Sequence, residues 1–241
     1  MTLKTEILAY AADGLRMSSH FYVDDRFSGP RPGVLVFPEA FGLGEHAKSR
    51  AERLAGLGFA ALACDLHGDG RIIPSLDEVM GVIDPMIEDP NRTRARAKGG
   101  LDAILARPEA DNGRIAAIGY CFGGTMALEL ARSGADIAAA VGFHSGLATA
   151  DPQGAKNIKG RILVCIGADD PVIPVGQRVT FEQEMRLAGI DWQMNLFGGV
   201  VHSFTDPDAR NLGRPELARY DAGADERSWS AMMGLFGELF G

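Results

Sequence analysis

Three cysteines, two tryptophans and a 7% aromatic share are thin supplies for a chain of 241 residues. Cys64, Cys121 and Cys165 are odd in number and form no CxxC pair. That excludes a disulfide framework and points to a reducing compartment. Basic residues are also scarce, 24 against 32 acidic ones, for a net charge of -8. A surface of that sign argues against nucleic acid and anionic membranes as partners. No stretch approaches the roughly 18 apolar residues of a membrane span. The segment Met1-Thr2-Leu3-Lys4-Thr5-Glu6 shows neither a signal-peptide nor a transit pattern. A cytoplasmic protein is the expectation. No His/Cys/Asp/Glu grouping has metal-ligand spacing, and no G-x-G-x-x-G opens a helix. Neither a metal nor a cofactor is expected.

What is present is enough for a full core, since a domain of this length buries about 70–75% of its unfolded surface. Residues 1–241 are expected to form one domain, with no repeat, low-complexity tract or long linker. Thr5–Tyr10 and Leu15–Val23 alternate around Asp13-Gly14, a hairpin signal. Val34–Phe37, Phe59–Cys64, Arg114–Ile118, Arg161–Ile166 and Asp191–Phe197 read as strands, several of them buried on both faces. Helices are expected over Ala47–Leu57, from Ser75 with Pro85 as an interruption, from Asp89-Pro90 to Arg107, over Pro174–Ala188, and over Glu226–Phe240. The last should bury Trp229, Met233 and Phe236. Arg92, Arg94, Arg96 and Lys98 read as a solvated helix face. Alternating strands and helices imply a mostly parallel sheet.

The chemistry is concentrated in Gly119-Tyr120-Cys121-Phe122-Gly123-Gly124, between the strand at 114–118 and a helix at 125–131. This is a G-x-nucleophile-x-G elbow with cysteine in the usual place of serine. Glycines two positions either side make room for a strained residue, and a helix N-terminus favours thiolate. Two later strands end in Gly167-Ala168-Asp169-Asp170-Pro171-Val172-Ile173-Pro174 and Gly198-Gly199-Val200-Val201-His202-Ser203-Phe204. An acid and then a histidine therefore follow the nucleophile, each just past a strand, in the chain order of α/β-hydrolases. The N–H groups of Phe122 and of Ala40, in the loop after strand 34–37, take the usual oxyanion positions.

Together with Pro38-Glu39-Ala40-Phe41-Gly42-Leu43, these segments resemble the dienelactone hydrolase family, small α/β-hydrolases with a Cys-Asp-His triad. The resemblance implies an α/β-hydrolase fold, a central mostly parallel sheet of about eight strands flanked by helices on both faces. It implies hydrolysis of small esters or lactones through Cys121, Asp170 and His202, and it selects Asp170 over Asp169. It also implies that Glu39 accepts a hydrogen bond from the resting thiol and moves when substrate binds. An arginine pair is the plainer reading of Glu39. Phe41, Tyr120, Arg71, His67, His144 and Phe204 are expected around the substrate pocket, whereas His20 and His46 carry no signal. The family's dienelactone-cleaving members hold the substrate carboxylate with an arginine four residues after the histidine. Here that residue is Asp206, so a neutral ester, lactone or aryl ester is the expected substrate, with activated organophosphate triesters as a side activity. Dienelactone hydrolase proper, an amidotransferase-like cysteine enzyme and a non-catalytic ligand-binding relative are the rival readings. A monomer or homodimer is expected.

Overall fold

The computed structural model describes residues 3–241; Met1 and Thr2, which open the segment read above for a leader, lie outside the described residues. The N-terminal alternation folds as a hairpin, β1 (Leu3–Ala12) against β2 (Leu15–Asp24). Asp13 and Gly14 turn it with φ of 48° and 72°. Two left-handed residues in succession give the turn a twist that matches the strands.

Six further strands follow: β3 (Arg31–Phe37), β4 (Ala60–Ala63), β5 (Ala110–Tyr120), β6 (Ala139–Phe143), β7 (Arg161–Gly167) and β8 (Trp192–Phe197). One eight-stranded sheet runs β1-β2-β4-β3-β5-β6-β7-β8. Only β1–β2 and β2–β4 pair antiparallel. This is the α/β-hydrolase arrangement expected from the sequence. From β3 the chain crosses to β4 on one side and later returns to β5 on the other. The C-terminal ends of β3 and β5 thus lie together at a switch point, Phe37 opposite Gly119. Crevices at such points collect functional groups in open α/β sheets.

Helices cover both faces: α1 (Glu45–Gly56), α2 (Leu76–Glu88), α3 (Pro90–Leu105), α4 (Phe122–Arg132), α5 (Val175–Ala188) and α6 (Ala222–Phe240). Along β3, Leu35 and Phe37 point into a core shared with α2, α3, α4 and α5, while Val34 and Val36 point into one shared with α1 and α6. Period-two alternation between two apolar layers is why this strand is apolar throughout. Each such buried side chain contributes about 1.5–3 kcal/mol.

Three expectations change. α2 continues through Pro85 to Glu88, because Ile83 and Met86 are buried on either side of the proline and packing holds the last turn. α6 buries Met232 rather than Met233, between Trp229 and Phe236. The arginines of α3 are not a free solvated face. Arg96 is buried and donates to Asp13 (2.9 Å) and to the Leu66 carbonyl (2.8 Å), and Arg94 donates to Glu129 and Asp151, both at 2.9 Å. Glu129 also receives Arg132, which is fully buried and makes a two-pronged pair with Glu184, both contacts at 2.8 Å. Charged bonds thereby tie α4 to α3 and α5. Such pairs offset their desolvation only when every prong is satisfied.

Candidate active site

Cys121 sits between β5 and α4 with φ 54° and ψ -120°, a conformation rarely held by a residue with a side chain. Three contacts impose it. A Cβ on Gly119 would lie 2.0 Å from the Gly123 carbonyl oxygen, and a Cβ on Gly123 would lie 2.3 Å from the oxygens of Phe37 and Pro38. The Cys121 N–H donates to the Phe143 carbonyl at 3.0 Å, carrying β5–β6 pairing into the turn. Cys121 is left half-buried at the first turn of α4. The N–H of Phe122, the first residue of that helix, has no acceptor within it.

Asp170 and His202 reach this point from the ends of β7 and β8. Asp170 Oδ1 accepts the N–H groups of Val172 (2.8 Å) and Ile173 (3.3 Å), which frees Oδ2 to accept from His202 Nδ1 at 2.8 Å. Asp169 points to solvent. With Nδ1 committed, the other ring nitrogen of His202 is left for Cys121. Burial disfavours the charged imidazole, but the sulfur of Cys121, the hydrogen bonds to Asp170 and Cys121 and the Asp170 charge override it. The His202 pKa is pushed up to about 10. The backbone of His202 is pinned as well, its N–H on the Leu217 carbonyl and its carbonyl on Arg219 N–H.

The loop after β3 supplies the third side. Its Phe37 and Pro38 carbonyls press on Gly123, so Glu39 and Ala40 stand beside the elbow. His67 Nε2 donates to the Ala40 carbonyl at 2.7 Å and fixes that peptide from behind. Glu39 is bonded neither to the thiol nor to an arginine. Its Oε1 accepts from His46 Nδ1 at 2.5 Å. Arg50 Nε donates to the other nitrogen of that ring at 3.1 Å, while its Nη2 holds Asp225 (2.8 and 2.9 Å) and the Thr205 carbonyl (2.7 Å). Burial opposes ionisation of Glu39, yet the electrostatic attraction and hydrogen bond of the neighbouring His46 hold its carboxyl below the ordinary value. His46, without signal in the sequence, is thus part of the site. A lone histidine at the start of a helix gives no hint of a partner seven residues earlier in a loop.

Three expected pocket residues lie in the core instead. Tyr120 packs between Phe143 (5.0 Å) and His46 (4.6 Å), and Phe204 packs against Phe197 (5.5 Å) and His144 (5.2 Å). His144 is fully buried under His202, ring edge to ring face at 5.0 Å, with Nε2 bonded to Thr205 Oγ1 at 2.8 Å. Burial, and then the positive charges of His202 and Arg50, push its pKa well down. It therefore stays neutral beneath a charged ring. Phe41 is half-buried against the core and Arg71 is exposed. Asp206 is half-buried, its carboxyl pushed up by burial and by the charges of Glu39 and Asp208.

A strained cysteine, a buried Asp–His pair and two loops at the switch point are a hydrolase arrangement, and the model of the dienelactone hydrolase family matches residues 20–240. The chain belongs to the dienelactone hydrolase family. Among solved structures of this family type, a dienelactone hydrolase-like promiscuous phosphotriesterase from metagenomic libraries is 46% identical, with a TM-score of 0.94 and 99% of each chain covered. A structure named m3DLH is also 46% identical, with a TM-score of 0.96 over 99% of each chain. A protein of Methylorubrum extorquens named "Putative carboxymethylenebutenolidase" is 29% identical over 206 residues, 79% of this chain and 69% of that protein. The chain is accordingly a hydrolase of this family. Among the described residues, no helix is long and apolar enough to cross a membrane.

Proposed function

We propose that the protein is a carboxylic ester hydrolase that cleaves small esters or lactones through a Cys121 acyl-enzyme. The observation that carries this reading is the chain Asp170–His202–Cys121 at a strained elbow, with the Asp170–His202 bond at 2.8 Å. The Cys121 sulfur, as thiolate, attacks the carbonyl carbon, and the carbonyl π pair moves to oxygen. The N–H groups of Phe122 and Ala40 receive that oxyanion. Collapse expels the alkoxide, which takes the proton from His202, and leaves a thioester. His202 then removes a proton from water, which attacks the thioester. The second tetrahedral species collapses to the acid and the thiolate, and His202 is again protonated. Asp170 fixes the ring tautomer and stabilises its charged form throughout. The single sheet spanning the chain supports one domain over residues 1–241, and a cytoplasmic setting with three unpaired cysteines completes the reading.

Asp206, half-buried four residues after His202, lies within electrostatic reach of Glu39 and His46. Like charges repel, so neutral substrates are preferred over carboxylate-bearing dienelactone. A second reading, side activity on organophosphate triesters, is favoured by the 46% identity to a promiscuous phosphotriesterase. There the same sulfur attacks phosphorus and an aryloxide leaves. The test is burst release of p-nitrophenol from p-nitrophenyl esters and a p-nitrophenyl phosphotriester, compared with dienelactone turnover. The ester burst should vanish in Cys121→Ala with the fold intact. A fully active alanine variant overturns the nucleophile, and a clear preference for dienelactone overturns the argument from Asp206.

A further inference from the structure

Glu39 presents a problem that the triad does not solve. The loop carrying it packs against Gly123, two residues past the nucleophile, and a carboxylate turned toward a thiol opposes its ionisation. The structure turns it elsewhere. Its partner His46 has both ring nitrogens committed, Nδ1 to Glu39 and Nε2 to Arg50. A guanidinium has donors only and keeps its proton, so Nε2 must be the acceptor. The ring proton is therefore on Nδ1, aimed at the carboxylate. Arg50 cannot swing away, because the same side chain is anchored to Asp225 on α6 and to Thr205 in the histidine loop. The Tyr120 ring packs against the His46 ring edge to face, centroids 4.6 Å apart. A buried line Asp225–Arg50–His46–Glu39 thus enters the site from the α1 and α6 side, opposite the α4 side that carries Cys121.

We propose that His46 is a positioning residue that holds the Glu39 carboxylate off Cys121, so that the Cys121–His202 ion pair forms without help from substrate. The proposal rests on Cys121 being the nucleophile. It replaces substrate-driven movement of Glu39 with a fixed clamp. The charged and titratable groups facing the clamp are Arg50 on α1, Tyr120 at the end of β5, His144 after β6, His202 and Asp206 after β8, and Asp225 on α6. Removing the ring takes away the side-chain donor that holds Glu39 Oε1, leaving the carboxylate free to turn toward the thiol.

The test is the pH profile of Cys121 alkylation by iodoacetamide in the absence of substrate, with the labelled peptide identified by mass spectrometry. In the wild type the rate should stay nearly flat between pH 6 and pH 8. His46→Ala should slow the pH 6 rate by about tenfold or more, tenfold corresponding to one unit in the thiol's titration. His46→Asn, whose amide N–H takes the place of Nδ1–H, should keep the wild-type profile. The double variant Glu39→Gln/His46→Ala should regain the pH 6 rate, because the neutral amide no longer opposes the thiolate. A merely structural role for His46 predicts no such regain. If the alanine variant does not fold, His46→Gln, which keeps bulk but moves the donor, takes its place. An unchanged profile in a folded His46 variant, or a double variant that stays slow, overturns the clamp. Label that lands elsewhere than Cys121 overturns the nucleophile reading instead.

Discussion

One methyl group added at Gly123 should cost this enzyme most of its activity. The new Cβ would sit 2.3 Å from the carbonyl oxygens of Phe37 and Pro38, where ordinary contact begins at 3.4 Å, so one side must retreat by about 1 Å. Both obstacles are backbone, and no side-chain rotation can clear them. The segment forced outward is the one that continues into Glu39 and Ala40. Overpacking of this kind costs about 1–3 kcal/mol of stability. For a chain of this size each kcal/mol lowers Tm by roughly 2–4 °C. The catalytic cost is larger, because a misplacement of about 1 Å in a positioning group is worth about 10²-fold in rate. Steady-state kcat/KM for a p-nitrophenyl ester, read beside a thermal melt, separates the two effects. Gly234→Ala in α6 is the control, since a Cβ there meets nothing within 4 Å and gains helix propensity. A folded Gly123→Ala enzyme within about fivefold of wild type, under ~1 kcal/mol of transition-state loss, refutes the placement of the Ala40 loop against the elbow.

Asp170→Asn should lower kcat by about 10³–10⁴-fold through loss of the correct His202 tautomer, while Asp169→Asn, altering an exposed side chain, should leave kcat near wild type; comparable losses in both would reassign the acid. Cys121→Ala should bring the His202 pKa down from about 10, as read by nitrogen NMR of the imidazole, because the sulfur is the leading cause that raises it. A folded-state pKa above the ordinary value of about 6.5 means that the stability due to His202 is complete below pH 6.5 and is lost as pH rises toward 10. Wild-type Tm should therefore fall more steeply over that range than the Tm of Cys121→Ala. Arg132→Ala should destabilise by about 3–5 kcal/mol in urea melts, because Glu129 and Glu184 are left buried with less compensation. A loss below ~1 kcal/mol would show that the network relaxes or hydrates at little cost.

The elements legible in the sequence were those with a local signature. The hairpin follows from Asp13-Gly14, the elbow from Gly119 and Gly123, and the order of Cys121, Asp170 and His202 from strands that end just before them. β6, five small and apolar residues from Ala139 to Phe143, has no bounding turn or alternation of its own and is recognisable only between β5 and β7. Tyr120 and Phe204 neighbour functional residues in sequence, but the turns at Cys121 and Ser203, both with φ above 50°, send them into the core. The partners of Glu39, Arg94 and Arg96 depend on which helix lies over which strand. Arg94 finds Glu129 35 positions away and Arg96 finds Asp13 83 positions away. Long-range charge pairing of that kind leaves no periodicity to read.

In the loop between β4 and α2, His67 holds the Ala40 carbonyl, whereas the stretch after Gly70 meets the machinery mainly through its backbone. The Ile73 N–H donates to the Phe41 carbonyl at 2.9 Å, and the Arg71 carbonyl and Ile72 Cδ1 face Gly42, but the side chains of Arg71 and Ile72 are otherwise exposed. The elbow, the acid and the histidine are braced from the sheet side and owe nothing to those two side chains. The bond-breaking apparatus and the Arg71 side chain are therefore physically separable in this protein. Position 71 can accept other side chains, in evolution or in a mutant library, while the left-handed backbone at Asp69 and Gly70 and the strained elbow stay as they are.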